Sequence, residues 1–261
     1  MATEVISEIR GQSLIVTFNR PEHANALTLD MANQLFQILK PATTDRGIRA
    51  VLLRGRGGHF MDSVDMDLYA GDWNIALEMA NQLILPYHSA IRELQSMDKP
   101  VIAAVDGIVA GAGFCFMLAS DLVLAGRNTK FNCEFASRAL TPDGGCSYYL
   151  PRKVGAAKAT ELLMLSETFG AEEAKNYNLI SRILDEDKLH EEALTWLDRL
   201  ASGPTRAYGG IKKLIMKSFE QDINAQLGLE HTYFGASSRT FDFREVVKAH
   251  LANRPAKFTG S

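Results

Sequence analysis

The sequence predicts an α/β fold in which short strands alternate with helices and the chain ends in helices. Two observations support this prediction. Apolar, β-branched runs, such as the one that begins at Val101, recur between stretches with helical periodicity over the first two thirds of the chain. From Asp187 onward the pattern is helical throughout. The order of the segments therefore favours repeated strand–helix units closed by a helical C-terminal region.

The first elements are predicted to be a hairpin, a helix and a strand. Apolar runs at 5–9 and 14–18 flank Gly11-Gln12, which is typical of a hairpin. Thr28 is a plausible N-cap for a helix whose apolar residues keep helical spacing from Met31 to Leu39. A strand over 50–54 then leads into a glycine-rich loop at 55–60.

The middle of the chain is predicted to contain a long helix and two strands. The helix covers about 73–95, and Pro86 is expected to kink or divide it. The strand at Val101 runs into Gly107, Gly111 and Gly113, which lead to an apolar segment compatible with a helix. A second strand follows at 122–125, and a strong break follows at 141–145.

The last third is predicted to be mainly helical. Helices are expected at 155–165 and 171–177, with a short strand-like run at 179–184 between them and the C-terminal helices. In the C-terminal region breaks are expected at 202–204, near Gly235 and at 254–255.

Composition excludes several classes of protein. With 46% hydrophobic and 23% charged residues the chain has material for a real core, and a net charge of −3 gives no reason to expect nucleic acid or an acidic membrane surface. The three cysteines have neither CxxC nor metal spacing, and the six histidines show no metal spacing either. The N-terminus lacks the pattern of a signal peptide, and no apolar run reaches transmembrane length. We therefore expect a cytoplasmic protein without a metal and without a membrane partner.

The glycine turn after the strand at Val101 is the first candidate for chemistry. A strand that turns into a helix leaves free N–H groups and a positive dipole end, which suits a bound or developing anion. A dinucleotide site is disfavoured because Phe116 occupies the third glycine position of that fingerprint, and no P-loop lysine follows. Close packing of strand and helix without a ligand remains an alternative.

Several motifs together resemble the crotonase (enoyl-CoA hydratase/isomerase) superfamily over nearly the whole chain. They lie at 99–107, 111–113 and 119–121, with further pieces at 19–27, 150–155 and 254–258. The resemblance implies an α/β spiral of ββα units with a helical C-terminal trimerisation region. It places the acyl-CoA-binding core in 1–200 and the oligomerisation region in 201–261, and it implies a homotrimer or a dimer of trimers.

The resemblance also implies an acyl-CoA thioester as substrate, with no cofactor beyond its coenzyme A portion. Two backbone N–H groups are expected to form an oxyanion hole for the thioester oxygen, those of Val64 and Ala112. Each such donor lowers the barrier by about 3 kcal/mol. The residues implied at the coenzyme A portion are Ala24, Ala26, Leu27 and Lys257, the last of these often across a subunit boundary.

The residues at the expected acid–base positions argue against water addition. The two glutamates of the hydratases align with Cys115 and Phe135, neither of which carries a carboxylate. Glu134 is adjacent, but we expect it to face solvent. A hydratase-like lyase is therefore kept only as an alternative.

Asp143 is the remaining candidate for proton transfer. The segment 141–151 resembles the motif of Δ3,Δ2-enoyl-CoA isomerases, in which one carboxylate moves a proton from C2 to C4 of a 3-enoyl thioester. Phe114, Phe116 and Phe135 are expected around this carboxylate and would raise its basicity, with Phe114 and Phe135 lining the acyl pocket. The alternative is that Asp143 only caps the following helix. In 4-chlorobenzoyl-CoA dehalogenases the same position holds a nucleophilic aspartate, and those enzymes also use a nearby His and Trp. His88 and Trp73 of this chain do not lie in the corresponding motifs, so this activity is disfavoured.

The sequence thus predicts an enzyme that isomerises 3-enoyl-CoA to 2-enoyl-CoA. One departure from the family pattern keeps a second possibility open. Asp62 and Ser63 stand where the oxyanion loop usually has Ala and Gly, and Asp62 could repel an enolate or be a second titrating group. A catalytically degenerate homologue that binds only acyl-CoA or a protein is the corresponding alternative.

Overall fold

The structure, a computed structural model, describes residues 3–261 and shows the alternating α/β order that the sequence predicts. The strands are β1 (Val5–Arg10), β2 (Ser13–Phe18), β3 (Ala50–Gly55), β4 (Val101–Val105), β5 (Ile108–Ala110), β6 (Leu122–Gly126), β7 (Lys130–Asn132), β8 (Phe169–Gly170) and β9 (Arg182–Leu184). The helices are α1 (Leu29–Thr44), α2 (Trp73–Ser96), α3 (Gly111–Leu118), α4 (Cys146–Val154), α5 (Ala156–Leu165), α6 (Ala171–Asn176), α7 (Glu186–Ala201), α8 (Thr205–Lys217), α9 (Ile223–Ser237) and α10 (Phe241–Leu251). Over the described range, none of these helices combines the length and the apolar character needed to cross a membrane.

The larger sheet has the strand order β1-β2-β3-β4-β6-β9. β1 and β2 form the predicted antiparallel hairpin, with Val5 opposite Phe18 and Arg10 opposite Ser13. From β2 to β9 all neighbours in this sheet are parallel. The carboxyl ends of the parallel strands therefore meet at one edge, which is where open α/β sheets bind their ligands.

A smaller sheet has the order β5-β7-β8, and its strands β5 and β7 directly follow β4 and β6 of the larger sheet. After β4 the chain turns at Gly107, whose φ is +56°, and enters β5 before α3 begins. The sequence predicts no strand between the glycine turn and the helix, because β5 has only three residues and its pattern merges with the turn. The chain thus alternates between the two sheets and adds helices, so the predicted spiral of ββα units is confirmed.

The core lies on both faces of the larger sheet because successive residues of a strand point to opposite faces. On one face Val51 and Leu53 join the main apolar cluster, to which α1, α2 and α3 contribute. On the other face Leu52 and Ile102 join a second cluster with residues of α7. β2, β3 and β4 are buried along almost their whole length for this reason.

The predicted division of the long helix at Pro86 is wrong, because α2 runs as one helix from Trp73 to Ser96, and the alternative of a kink stays a prediction. Proline removes only one backbone donor from a helix. Buried residues on both sides of it, Leu83, Tyr87 and Leu94 among them, keep the helix on the core. Apolar packing therefore outweighs the local preference at this position.

The predicted break near Gly235 is confirmed, because α9 ends at Ser237 and α10 begins at Phe241, although the helix passes through Gly235 itself. Side chains cap both α9 and α10 at their starts. Asp222 accepts the N–H groups of Asn224 and Ala225 at 2.8 and 3.0 Å, and Thr240 accepts that of Phe243 at 3.1 Å. These residue types are the preferred N-caps, and their side chains define the boundaries more strongly than one glycine does.

Arg49 ties the C-terminal region to the larger sheet. It is buried, immediately before β3, and its guanidinium donates to Thr205 Oγ1 at 3.0 Å, to the carbonyl of Phe258 at 3.3 Å and to the carbonyl of Gly203. The division of the chain into 1–200 and 201–261 stays a prediction, but one side chain joins the two parts.

We predict that Arg49→Ala lowers the free energy of unfolding by about 2–4 kcal/mol, because buried acceptors lose a charged donor. Urea denaturation measures this change. Arg46→Ala is the matched control, since Arg46 is exposed and only three residues away; it should change the free energy by less than about 0.5 kcal/mol. Equal, small effects of both variants would contradict the role assigned to Arg49.

Candidate active site

The candidate site is built from two segments that lie side by side at the carboxyl edge of the larger sheet. One is the loop that follows β3, and the other consists of β5 and the first turn of α3. Met61 donates to the carbonyl of Ile108 at 3.3 Å, Ala110 donates to that of Met61 at 3.1 Å, and Gly113 donates to that of Asp62 at 3.3 Å. These bonds fix residues 61–63 against residues 108–113.

Gly111 and Gly113 allow this close approach. A Cβ on Gly113 would overlap the Met61 carbonyl, and a Cβ on Gly111, whose φ is +43°, would overlap the Ser63 hydroxyl. Any larger residue would push the two segments apart. The glycine turn therefore permits close packing, which is one of the two roles that the sequence leaves open for it. The same close packing also brings backbone donors together.

The two predicted oxyanion donors lie on these adjoining segments. Leu27 donates to Ser63 at 2.9 Å and Asp65 donates to Leu27 at 3.0 Å, so the backbone is held on both sides of Val64. Ala112 lies in the first turn of α3, where N–H groups have no partner within the helix. Within residues 3–261 the N–H groups of Val64 and Ala112 donate to no backbone carbonyl. Both are thus free to bind an acceptor.

The loop after β3 accommodates Asp62 and Ser63, the two residues that depart from the family pattern, through contacts with neighbouring residues. The Asp62 carboxylate accepts the N–H of Ser63 at 2.7 Å, and Ser63 is buried against Gly111. Asp62 therefore directs one oxygen back to its own loop. Its charge nevertheless contributes to raising the pKa of Glu134, so it is near that carboxyl.

Asp143 precedes α4 without capping it. The N-cap of α4 is Gly145 and no side chain caps this helix, so the capping alternative is wrong. The Asp143 carboxylate is half-buried, and Oδ1 lies 3.5 Å from the hydroxyl of Tyr87. Burial raises the pKa of Asp143, while His88 and the hydrogen bond from Tyr87 act in the opposite direction. A carboxyl with a raised pKa is a stronger base once it is ionised.

The expectation that Glu134 faces solvent is wrong. Its φ is +60°, its N–H donates to the Asn132 side chain at 2.7 Å, and its carboxylate pairs with Arg138 at 2.6 Å with both side chains less than a quarter exposed. Burial raises the pKa of Glu134, and Arg138 opposes that rise. Arg138 also donates to the carbonyl of Val64 at 3.5 Å, so this ion pair lies beside the oxyanion loop.

The positions of the hydratase glutamates hold buried side chains without carboxylates. Cys115 is fully buried, and its thiol lies 3.5 Å from the carbonyl of Asp143. Phe135 is 7% exposed. Phe114 is also fully buried and packs edge-on against Phe169, with a centroid distance of 6.2 Å. The assignment of Phe114 and Phe135 to an acyl pocket stays a prediction.

The loop expected at the coenzyme A entrance lies along the oxyanion loop. Ala24 has a φ of +48°, and its carbonyl accepts the N–H of Asp62 at 2.9 Å; Ala26 and Leu27 are buried beside it. Lys257 is exposed and lies elsewhere. Arg49 holds the neighbouring Phe258 at the edge where β3 begins, whereas the site is at the edge where β3 ends. One chain therefore does not bring Lys257 to this loop.

Three residues near Asp143 are not predicted as site residues. His88 Nε2 accepts the N–H of Gly144 at 3.1 Å. Burial raises the pKa of Tyr69, and the charge of Asp143 adds to that rise. Tyr87 is the third. The spacing of apolar residues along α2 indicates that Tyr87 is on its buried face, but only the fold reveals that its hydroxyl contacts Asp143. Trp73 is 62% exposed and takes no part.

Among the described residues one group has the geometry to hold a metal ion. Ligand atoms of His23, Asp65 and Asp67 lie within 4.8 Å of one another. Asp65 already pairs with Arg20 at 2.9 Å, and exposed acidic groups of this kind are common without an ion. We assign no function to this group.

The chain is similar in sequence and fold to known proteins of one family. A sequence profile of the enoyl-CoA hydratase/isomerase family matches residues 8–261. The chain is 35% identical to the 1,2-epoxyphenylacetyl-CoA isomerase of Escherichia coli (strain K12) over 257 residues, which are 98% of each protein. It is 34% identical to a probable enoyl-CoA hydratase of Rhodobacter capsulatus, covering 97% of this chain and 96% of that protein. The crystal structure of a putative enoyl-CoA hydratase from Streptomyces coelicolor A3(2) superposes with a TM-score of 0.91 at 32% identity, covering 99% of this chain and 94% of that one.

Proposed function

The chain belongs to the enoyl-CoA hydratase/isomerase family, and we propose that within it the protein isomerises 3-enoyl-CoA to 2-enoyl-CoA. It is an acyl-CoA-processing enzyme by family. The observation that supports the finer activity is the half-buried carboxylate of Asp143, which caps no helix and lies at a site where Cys115 and Phe135 replace both hydratase glutamates. One group that moves one proton needs no second acid.

The proposed mechanism begins with the thioester oxygen accepting the N–H groups of Val64 and Ala112. Asp143 removes a proton from C2, so the C2–H bond breaks and its electron pair conjugates with the thioester and the C3–C4 double bond. The negative charge that develops on the oxygen is stabilised by the two donors, at about 3 kcal/mol each. Asp143 then returns the proton to C4, and the double bond lies between C2 and C3. Because the base must be ionised, activity rises with pH through the raised pKa of Asp143.

We predict that Asp143→Asn lowers kcat for a 3-enoyl-CoA by about 10²–10⁴-fold, the range for loss of a general acid–base group. The appearance of the conjugated 2-enoyl thioester absorbance measures the reaction, and calorimetry with an acyl-CoA checks that binding persists. Glu134→Gln is the control, because it removes the other half-buried carboxylate of the site and should retain isomerisation. Asp143→Asn with the wild-type rate would rule out this assignment.

Water addition to a 2-enoyl-CoA is a second candidate function, and the position of Glu134 favours it. This carboxyl lies with Arg138 beside the oxyanion loop and would supply a second acid–base group with Asp143. The same assay separates the two functions, since hydration removes the conjugated absorbance. A binding-only homologue would show acyl-CoA affinity with no turnover in either direction.

We also propose that the protein is a homotrimer or a dimer of trimers. Helices α8 to α10 and the segment between α8 and α9 expose large apolar side chains that a second copy of this chain would cover: Ile211, Ile215, Phe219, Ile223, Leu227, Phe234, Phe241, Phe243, Val246, Val247 and Leu251. The partner arrangement would also bring Lys257 of a neighbouring copy to the coenzyme A phosphates, which one chain does not do.

Sedimentation should therefore give three or six times the chain mass of 28.8 kDa. A monomeric enzyme with full activity would contradict the proposed assembly.

Lys257→Glu should raise KM for the coenzyme A thioester but not for the corresponding pantetheine thioester, which lacks the nucleotide phosphates. An equal effect of Lys257→Glu on both thioesters would contradict the phosphate contact.

A further inference from the structure

Tyr87 is a buried polar residue that directly contacts the proposed base. It lies in the middle of α2 and is fully buried, with its ring against Phe116 at a centroid distance of 5.5 Å. Its hydroxyl lies 3.5 Å from Asp143 Oδ1. Burial raises the pKa of Tyr87 well above its ordinary value, so the hydroxyl stays protonated and acts as a donor.

The Tyr87 hydroxyl also fills the space beside the residue after the base. Gly144 has a φ of +52°, and a Cβ there would overlap the Tyr87 hydroxyl and approach Cys115 Cβ at 2.9 Å. The glycine therefore lets the backbone come against the tyrosine, and it allows a conformation that other residues rarely adopt. The phenol oxygen and the Asp143–Gly144 peptide occupy adjoining positions.

Two more side chains fix the same peptide. His88, the next residue on α2, accepts the N–H of Gly144 at 3.1 Å, and the thiol of Cys115 on α3 lies 3.5 Å from the carbonyl of Asp143. The carbonyl and the N–H of the Asp143–Gly144 peptide, which carries the carboxylate side chain, are thus both fixed by side chains. The remaining freedom is rotation of the carboxylate itself, and Tyr87 is placed to limit that rotation.

The single-carboxylate reaction requires such a limit. The same carboxyl group must face C2 and then C4, and a mispositioned carboxylate loses rate steeply. A hydrogen bond to Oδ1 leaves Oδ2 as the oxygen that carries the proton. The bond is long without substrate, and catalytic hydrogen bonds often tighten when the substrate binds.

We propose that Tyr87 is a positioning residue: its hydroxyl donates to Oδ1 of Asp143 and directs Oδ2 toward the substrate. This role rests on the proposed function of Asp143 as the base. The hydroxyl also stabilises the ionised form of the carboxylate, so its removal should move the titration of Asp143 to higher pH. The titratable groups that face or influence Asp143 come from several packed elements: Tyr69 from the segment before α2, Tyr87 and His88 from α2, and Cys115 from α3.

The test is Tyr87→Phe, which keeps the ring and removes only the donor. We expect kcat to fall roughly 10-fold to 100-fold, KM to stay within about twofold, and the acid limb of the kcat/KM profile to move to higher pH. Tyr177→Phe is the matched control, because Tyr177 packs against Phe169 at a centroid distance of 5.7 Å as part of the core and has no contact with Asp143; it should move none of these. A fall in kcat without a shift of the acid limb would assign Tyr87 a merely structural role and overturn the proposal.

A measurement independent of turnover separates this proposal from the proposed function. The carboxyl carbon of Asp143 is titrated by NMR in protein with ¹³C-labelled aspartate, and Asp143→Asn identifies its signal. A titration at higher pH in Tyr87→Phe supports the contact even if the wild type isomerises no 3-enoyl-CoA; an unmoved titration overturns it even if the isomerase activity is present. If Tyr87→Phe does not fold, replacement of the seven tyrosines by 3-fluorotyrosine, a stronger donor, should move the titration to lower pH. An unmoved titration in that protein would also overturn the proposal.

Discussion

The contact between two backbone segments is the constraint on which the candidate site depends. Residues 61–63 and 108–113 are hydrogen-bonded to each other, and Gly111 and Gly113 leave no side chain between them. The parallel arrangement of β3 and β4 brings both segments to one edge of the sheet, and Gly107 turns the chain into β5 so that the second segment runs along the first. Free N–H groups therefore lie on adjoining segments, as the proposed enolate chemistry requires.

The carboxylate is held by a different part of the fold. Asp143 comes from the segment before α4, but its surroundings come from α2 and α3. α2 can serve in this way because it continues through Pro86 with its buried residues on the core. Burial then favours the neutral acid, while Tyr87 and His88 favour the carboxylate. The balance between these effects suits a group that must both take and return a proton.

Much of the fold follows from sequence pattern, because alternating apolar runs and glycine breaks mark the strands and helices directly. β5 is missed because a three-residue strand carries no periodicity. The break near Gly235 is predicted, but its exact position between Ser237 and Phe241 is set by the N-cap Thr240 rather than by the glycine. In the site, Asp143, Val64 and Ala112 can be named from motifs. Tyr87 and His88 cannot, since their contacts join positions 56 residues apart, and Glu134 turns inward through a left-handed backbone that sequence pattern does not show.

The most direct test of the central claim is a crystal structure of the protein with a non-reactive acyl-CoA analogue. The proposed function predicts that the thioester oxygen lies about 3 Å from the N–H nitrogens of both Val64 and Ala112. It also predicts that an oxygen of Asp143 lies about 3–3.5 Å from C2. A thioester bound away from these two amides, or an Asp143 carboxylate that does not face the acyl chain, would contradict it.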